Sequence, residues 1–198
     1  DDYLDDDNIT YLFLIPDLKR KLTNDTNYFT TQESNFLLET YEKNKLLATI
    51  EESGQKMMTA EVLIVDPIIK KYTINVILKV YKGYSIGGLR NQIINDFSDY
   101  FINIKRRDSI PASDLIAMLE AYEYIDSVKV QFISKENEEA MKNGFYYVNN
   151  FVGTEIVKEK VFLDTGENPL LGIDEFGDIK IGRNELPIIR GGFFDRNG

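Results

Sequence analysis

This chain contains neither cysteine nor histidine. Without thiols there is no disulfide, no cysteine nucleophile and no thiolate ligand. Without imidazole there is no histidine general base, no zinc site of the usual ligand types and no iron site built on two histidines. What stays open is the chemistry of carboxylate pairs, lysine, tyrosine and hard cations held by carboxylates. Lack of thiols suits a reducing compartment and equally suits a robust assembly outside one, so the compartment stays open. Long apolar runs are missing too. No stretch reaches the roughly 18 residues of a spanning helix, and the acidic opening Asp1-Asp2-Tyr3-Leu4 is the reverse of a cationic signal peptide. The first residue is not Met, and we expect a piece of a longer chain.

Positive charge is also scarce. Lys and Arg number 23 against 33 Asp and Glu, a net charge of −10 that repels nucleic acid and anionic lipid at long range. The basic cluster Lys105-Arg106-Arg107 is too short to reverse this and reads as the solvated C-terminus of a helix. Neither a nucleic acid nor a membrane is expected as a partner.

What is present is an ordinary apolar endowment: 198 residues, 43% hydrophobic, with 12 Tyr and 12 Phe. That is enough to bury a core without covalent staples. Ile9, Tyr11, Phe13 and Ile15 alternate with Leu12 and Leu14 before Pro16, the pattern of a strand covered on both faces. Thr30 and Glu33 have capping-box spacing, predicting a helix to about Ser53, with Gly54 as its stop and Phe36, Leu37, Tyr41, Leu47 and Ile50 as its apolar face. A strand over Val62 to Val65 ends at Asp66-Pro67. From Tyr72 to Val80 the alternation is nearly strict.

Leu89, Ile93, Phe97, Tyr100 and Ile104 then mark one stripe of a helix. Pro111 sits at a tolerated helix start with Ser113 as candidate cap, ahead of Leu115, Ile116, Leu119 and Tyr122. Val128, Val130 and Phe132 form a further strand. With the short helix set aside, the order is strand, helix, strand, strand, helix, strand. This predicts an α+β fold with a two-layer split βαβ, ferredoxin-like domain over residues 1–135. A looser α+β sandwich is the alternative.

Residues 136–198 form the expected second region, a glycine-rich hairpin and extended oligomerisation segment. Phe145 to Phe151 and Ile156 to Leu163 are spaced as a hairpin through Val152-Gly153-Thr154. Beyond Asp164 the chain is too short and too glycine-rich to own a core, yet it is too apolar for a free tail. Leu170, Leu171, Ile173, Phe176, Ile188, Ile189, Phe193 and Phe194 are therefore the candidate oligomer interface.

No constellation points to catalysis. Glu120 with Glu123, and Asp164 with Glu167, are close carboxylates in polar company, which does not separate an acid from a base. Asp5-Asp6-Asp7, and Asp174, Glu175 and Asp178 near Gly177, lack the ligand spacing of a calcium loop. Tyr72 and Tyr81 lie on opposite faces of their strand, without the basic and glycine companions of an RNA-binding sheet. No catalytic, cofactor or metal residues are expected. A small-ligand-binding or regulatory module on a ferredoxin-like fold remains as an alternative, because a fold does not fix a function.

One ordered set of motifs is specific enough to name. Asp66-Pro67, Tyr72-Thr73-Ile74-Asn75-Val76, Lys82-Gly83, Leu89-Arg90-Asn91-Gln92-Ile93, Ile110-Pro111-Ala112-Ser113-Asp114-Leu115-Ile116 and Ile125-Asp126-Ser127-Val128-Lys129-Val130 follow one another in the order of the baseplate J-like family. Phe176-Gly177-Asp178-Ile179, Asn184-Glu185-Leu186-Pro187 and Arg190-Gly191-Gly192 resemble that family's wedge members as well. The likeness runs from about Val62 to the end of the chain. One departure is Ser127-Val128, where many relatives carry Gly-Val, and a different turn is expected there. The resemblance implies a non-enzymatic structural subunit of a contractile phage tail. It would sit in the virion, form a homodimer, contact other baseplate wedge proteins and take no small-molecule substrate or cofactor.

Overall fold

The computed structural model describes residues 9–22, 27–54, 61–84, 86–104, 108–152, 155–162 and 171–190. The chain divides into two compact units, residues 1–25 with 31–67 and residues 26–30 with 68–198. Mixed helices and strands make the fold α+β, as expected. The expected boundary at residue 135 falls inside the second unit.

In the first unit, β1 (Ile9–Phe13) pairs in parallel with β2 (Glu61–Val65), from Ile9 opposite Glu61 to Phe13 opposite Val65. The short helix α1 (Leu18–Lys21) starts where the Asp17 carboxylate accepts the Lys19 N–H at 3.1 Å. The helix expected from Thr30 begins instead at Thr40 as α2 (Thr40–Glu52). Residues 28–30 and 33–36 form 3₁₀ turns, and the reach-back bond expected at Thr30 and Glu33 is made by Glu39 and Glu42. The Glu42 carboxylate accepts the Glu39 N–H at 2.7 Å. That bond, with Lys21 beside it, holds the Glu42 carboxyl below its ordinary range. Gly54, at φ 66°, ends the helix as expected.

The second unit is built around β3 (Ile68–Val80). Helix α3 (Ile86–Asn103), β4 (Ser109–Ile110), α4 (Ala112–Glu120) and β5 (Ile125–Ser134) follow, then α5 (Lys135–Asn143), β6 (Phe145–Val152), β7 (Glu155–Phe162), β8 (Ile179–Lys180) and β9 (Glu185–Ile189). β3 is the centre of a sheet of order β5-β3-β9, antiparallel to β5 and parallel to β9. Ile74 stands opposite Phe132 and Val76 opposite Val130, so the buried residues of both strands share a face. Leu89, Ile93, Phe97 and Phe101 of α3 and Leu115 and Leu119 of α4 are buried with them. Burying those six side chains contributes on the order of 10 kcal/mol before chain entropy is counted.

The four-stranded split βαβ sheet does not form among the described residues, because β1 and β2 pair with each other and β3 pairs elsewhere. The Ile68 N–H meets the Asn184 carbonyl at 2.7 Å, tying the start of β3 to the turn before β9.

The chain beyond Asp164 also differs from expectation. Ile188 and Ile189 are fully buried in β9, and Ile173 and Ile179 are buried near the β4-β8 pair. These apolar residues find shelter within their own protomer. Pro187 is tolerated because β9 is an edge strand. Gly172 is required where it stands: its φ is 68°, and a Cβ there would lie 2.2 Å from the Tyr72 hydroxyl. That hydroxyl donates to the Gly172 carbonyl at 3.3 Å.

Candidate functional site

The β6-β7 hairpin leaves aromatic surface in water. Gly144, at φ 74°, caps α5 with its N–H on the Ala140 carbonyl at 2.8 Å and turns the chain into β6. Register places Phe145 opposite Phe162 and Tyr147 opposite Lys160. These four side chains therefore share one face. Phe145 lies 5.8 Å from Tyr147 edge-on and 6.0 Å from Phe162. Lys160 Nζ sits 3.8 Å from the Phe145 ring centre and 4.8 Å from that of Phe162, in cation–π range of both. Phe162 is 68% and Tyr147 45% exposed. No third strand pairs with this hairpin among the described residues. A lone two-stranded ribbon is marginal in water and presents open edges that another chain can extend.

A second exposed feature is the turn Asp174 to Asp178. The Asp174 carboxylate accepts the N–H groups of Phe176 and Asp178, both at 2.9 Å, and Gly177 takes φ 85°. Asp178 in turn accepts the Ala112 N–H at 2.9 Å. It thereby caps α4 in place of the expected Ser113. Phe176 projects from this rigid turn with 80% of its surface exposed. Asp174 and Asp178, two of the three carboxylates near Gly177, are thus engaged with backbone donors. No group of three or more Asp or Glu among the described residues is placed to hold a metal.

Of the candidate interface residues, Phe176 is exposed and Leu171 half-buried, while Ile173, Ile188 and Ile189 are interior. For those three the expectation of a partner-facing surface is corrected, because they are buried within their own protomer. Leu170, Phe193 and Phe194 lie outside the described residues. Sequence reasoning did not single out Tyr147, Lys160 and Phe162. The register implied by the Gly153 turn could have placed them on one face.

The remaining candidates do not converge. Glu120 and Glu123 are exposed, Asp164 and Glu167 lie outside the described residues, and Tyr72 is buried while Tyr81 is exposed. Burial raises the phenol of Tyr72 well above its ordinary value, so it stays neutral. Tyr122 is raised too, by burial and by its hydrogen bond to Asp96. No helix among the described residues is long and apolar enough to cross a membrane. No family model matches the chain, and no curated protein matches it significantly.

Proposed function

We propose that this chain is a structural assembly subunit that links to copies of itself and to neighbouring proteins, and that its setting is the wedge of a contractile phage tail baseplate. The observation that carries the assembly reading is the β6-β7 face, where Tyr147 and Phe162 stand exposed around Lys160 on a ribbon that no third strand joins among the described residues. The baseplate setting is supported by the ordered residue likeness to the baseplate J-like family, and within it to the C-terminal part of the large wedge protein of T-even-type phages. The reading assigns no reaction to the chain.

Light scattering on the full chain at tens of micromolar tests the assembly reading. A mass at least twice the 22.9 kDa protomer is expected. A protomer mass that persists at every concentration would contradict it. Among the described residues, the pocket beside Tyr84 and Tyr124 measures about 210 Å³, below the roughly 300–1,000 Å³ of ligand sites.

A further inference from the structure

Two features of the second unit complement each other. One is the Phe176 knob. The other is an open pocket of about 210 Å³ lined by Val80, Tyr84, Gly88, Leu89, Gln92 and Tyr124. An apolar cavity of roughly 150 Å³ is known to hold a benzene molecule, so a phenyl ring fits this one. The Tyr84 and Tyr124 rings, 5.3 Å apart, form a wall suited to a third aromatic.

The two features sit at opposite ends of α4. Asp178, two residues after the knob, is bonded to Ala112 at the start of α4, whereas Tyr124 follows its end. Nine residues at 1.5 Å rise put about 13 Å between those ends. Phe176 does not occupy the pocket of its own protomer, since most of its surface is exposed. Charge is complementary as well. Phe176 is flanked by Asp174, Glu175 and Asp178, while within two residues of the pocket lining stand Lys79, Lys82 and Arg90 against Glu123 and Asp126, Lys79 and Asp126 being paired with each other.

We propose that Phe176 of one protomer inserts into the Tyr84/Leu89/Tyr124 pocket of a second copy. This rests on the reading of the chain as an assembly subunit and names one of its contacts. Because knob and pocket are different surfaces, the contact is either swapped across a two-fold axis or repeated head to tail, and a repeated contact that closes gives a ring.

The cysteine-free chain permits a clean test. Glu175→Cys and Gln92→Cys, both at exposed positions, are introduced into separate full-length chains and mixed under mild oxidation. A covalent dimer holding one of each is expected. Adding Phe176→Ala to the Glu175→Cys chain should drop its yield to that of a control pairing Gln92→Cys with exposed Glu51→Cys. A control-level yield in a sample that light scattering shows to be associated gives the pocket to another occupant and overturns this contact alone. A yield unmoved by Phe176→Ala overturns it too. A sample that stays at protomer mass removes the assembly reading itself.

Discussion

In the second unit Ile74, Val76, Ile93, Leu115, Leu119, Ile179, Ile188 and Ile189 are almost wholly withdrawn from water. In the first unit Phe36 is withdrawn to that degree, but no residue of β1, β2 or α2 is, and Tyr41 on α2 is 65% exposed. Both units obey the same rules of strand pairing and helix capping. They differ in how many elements stack on one another. β3 is paired on both edges over one buried face, while β1 and β2 form a two-stranded parallel pair, an arrangement usually stable only when both faces are covered. The difference predicts that the second unit carries the cooperative stability of the chain and that the first opens at lower cost.

Charge insertion should break the comparison most strongly. Ile93→Asp or Phe97→Asp places an unpaired carboxylate in the α3 layer, and a loss of about 5 kcal/mol, enough to abolish cooperative unfolding in circular dichroism, is expected. Leu47→Asp, on half-buried α2, should cost about 1 kcal/mol. Equal effects would erase the distinction between the units.

Glycine replacement sharpens it. Gly172→Ala meets both a left-handed backbone and the Tyr72 hydroxyl, so about 3 kcal/mol is expected from denaturant melts. Gly54→Ala meets the same backbone conformation with nothing within 4 Å and should cost about 1 kcal/mol.

Alkaline pH bears on the second unit through Tyr28, which is stacked on Phe101 at 5.3 Å with its backbone N–H on Ser98 Oγ at 2.9 Å. Burial pushes its phenol from 10.0 up to about 12. The folded state therefore keeps a proton that the unfolded chain releases. The associated stability is intact below pH 10 and is lost as pH rises toward 12, by roughly 2 kcal/mol. Tyr72 and Tyr122, whose phenols are also raised, act on the same limb, so Tyr28→Phe should make it shallower without removing it in melts across the range. An unchanged slope would show that the phenol is not enclosed.

The smallest effect expected is in the first unit. Lys43→Met breaks a 2.7 Å ion pair with half-exposed Asp66 and should shift stability by less than about 1 kcal/mol in the same melts.

Local patterns were legible and long-range ones were not. The alternation of Tyr72 to Val80 marked β3, the spacing of Leu89, Ile93 and Phe97 marked α3, and two alternating runs about Gly153 marked the hairpin. Phe101 takes the inward place expected of Tyr100 because it stacks on Tyr28, far earlier in the chain. Asp178 caps α4 across 66 residues, and β9 returns to lie beside the start of β3. Neither pairing leaves a trace in local spacing. The apolar character of Ile188 and Ile189 was plain from sequence, but whether a partner or the chain itself would cover them depended on that return.

Hydrogen exchange measured from dilute to concentrated protein tests the central claim most directly. If the hairpin is an association surface, amides of β6 and β7 should gain protection with concentration, while those of β3 stay slow throughout. Exchange in the hairpin that is independent of concentration would contradict the account.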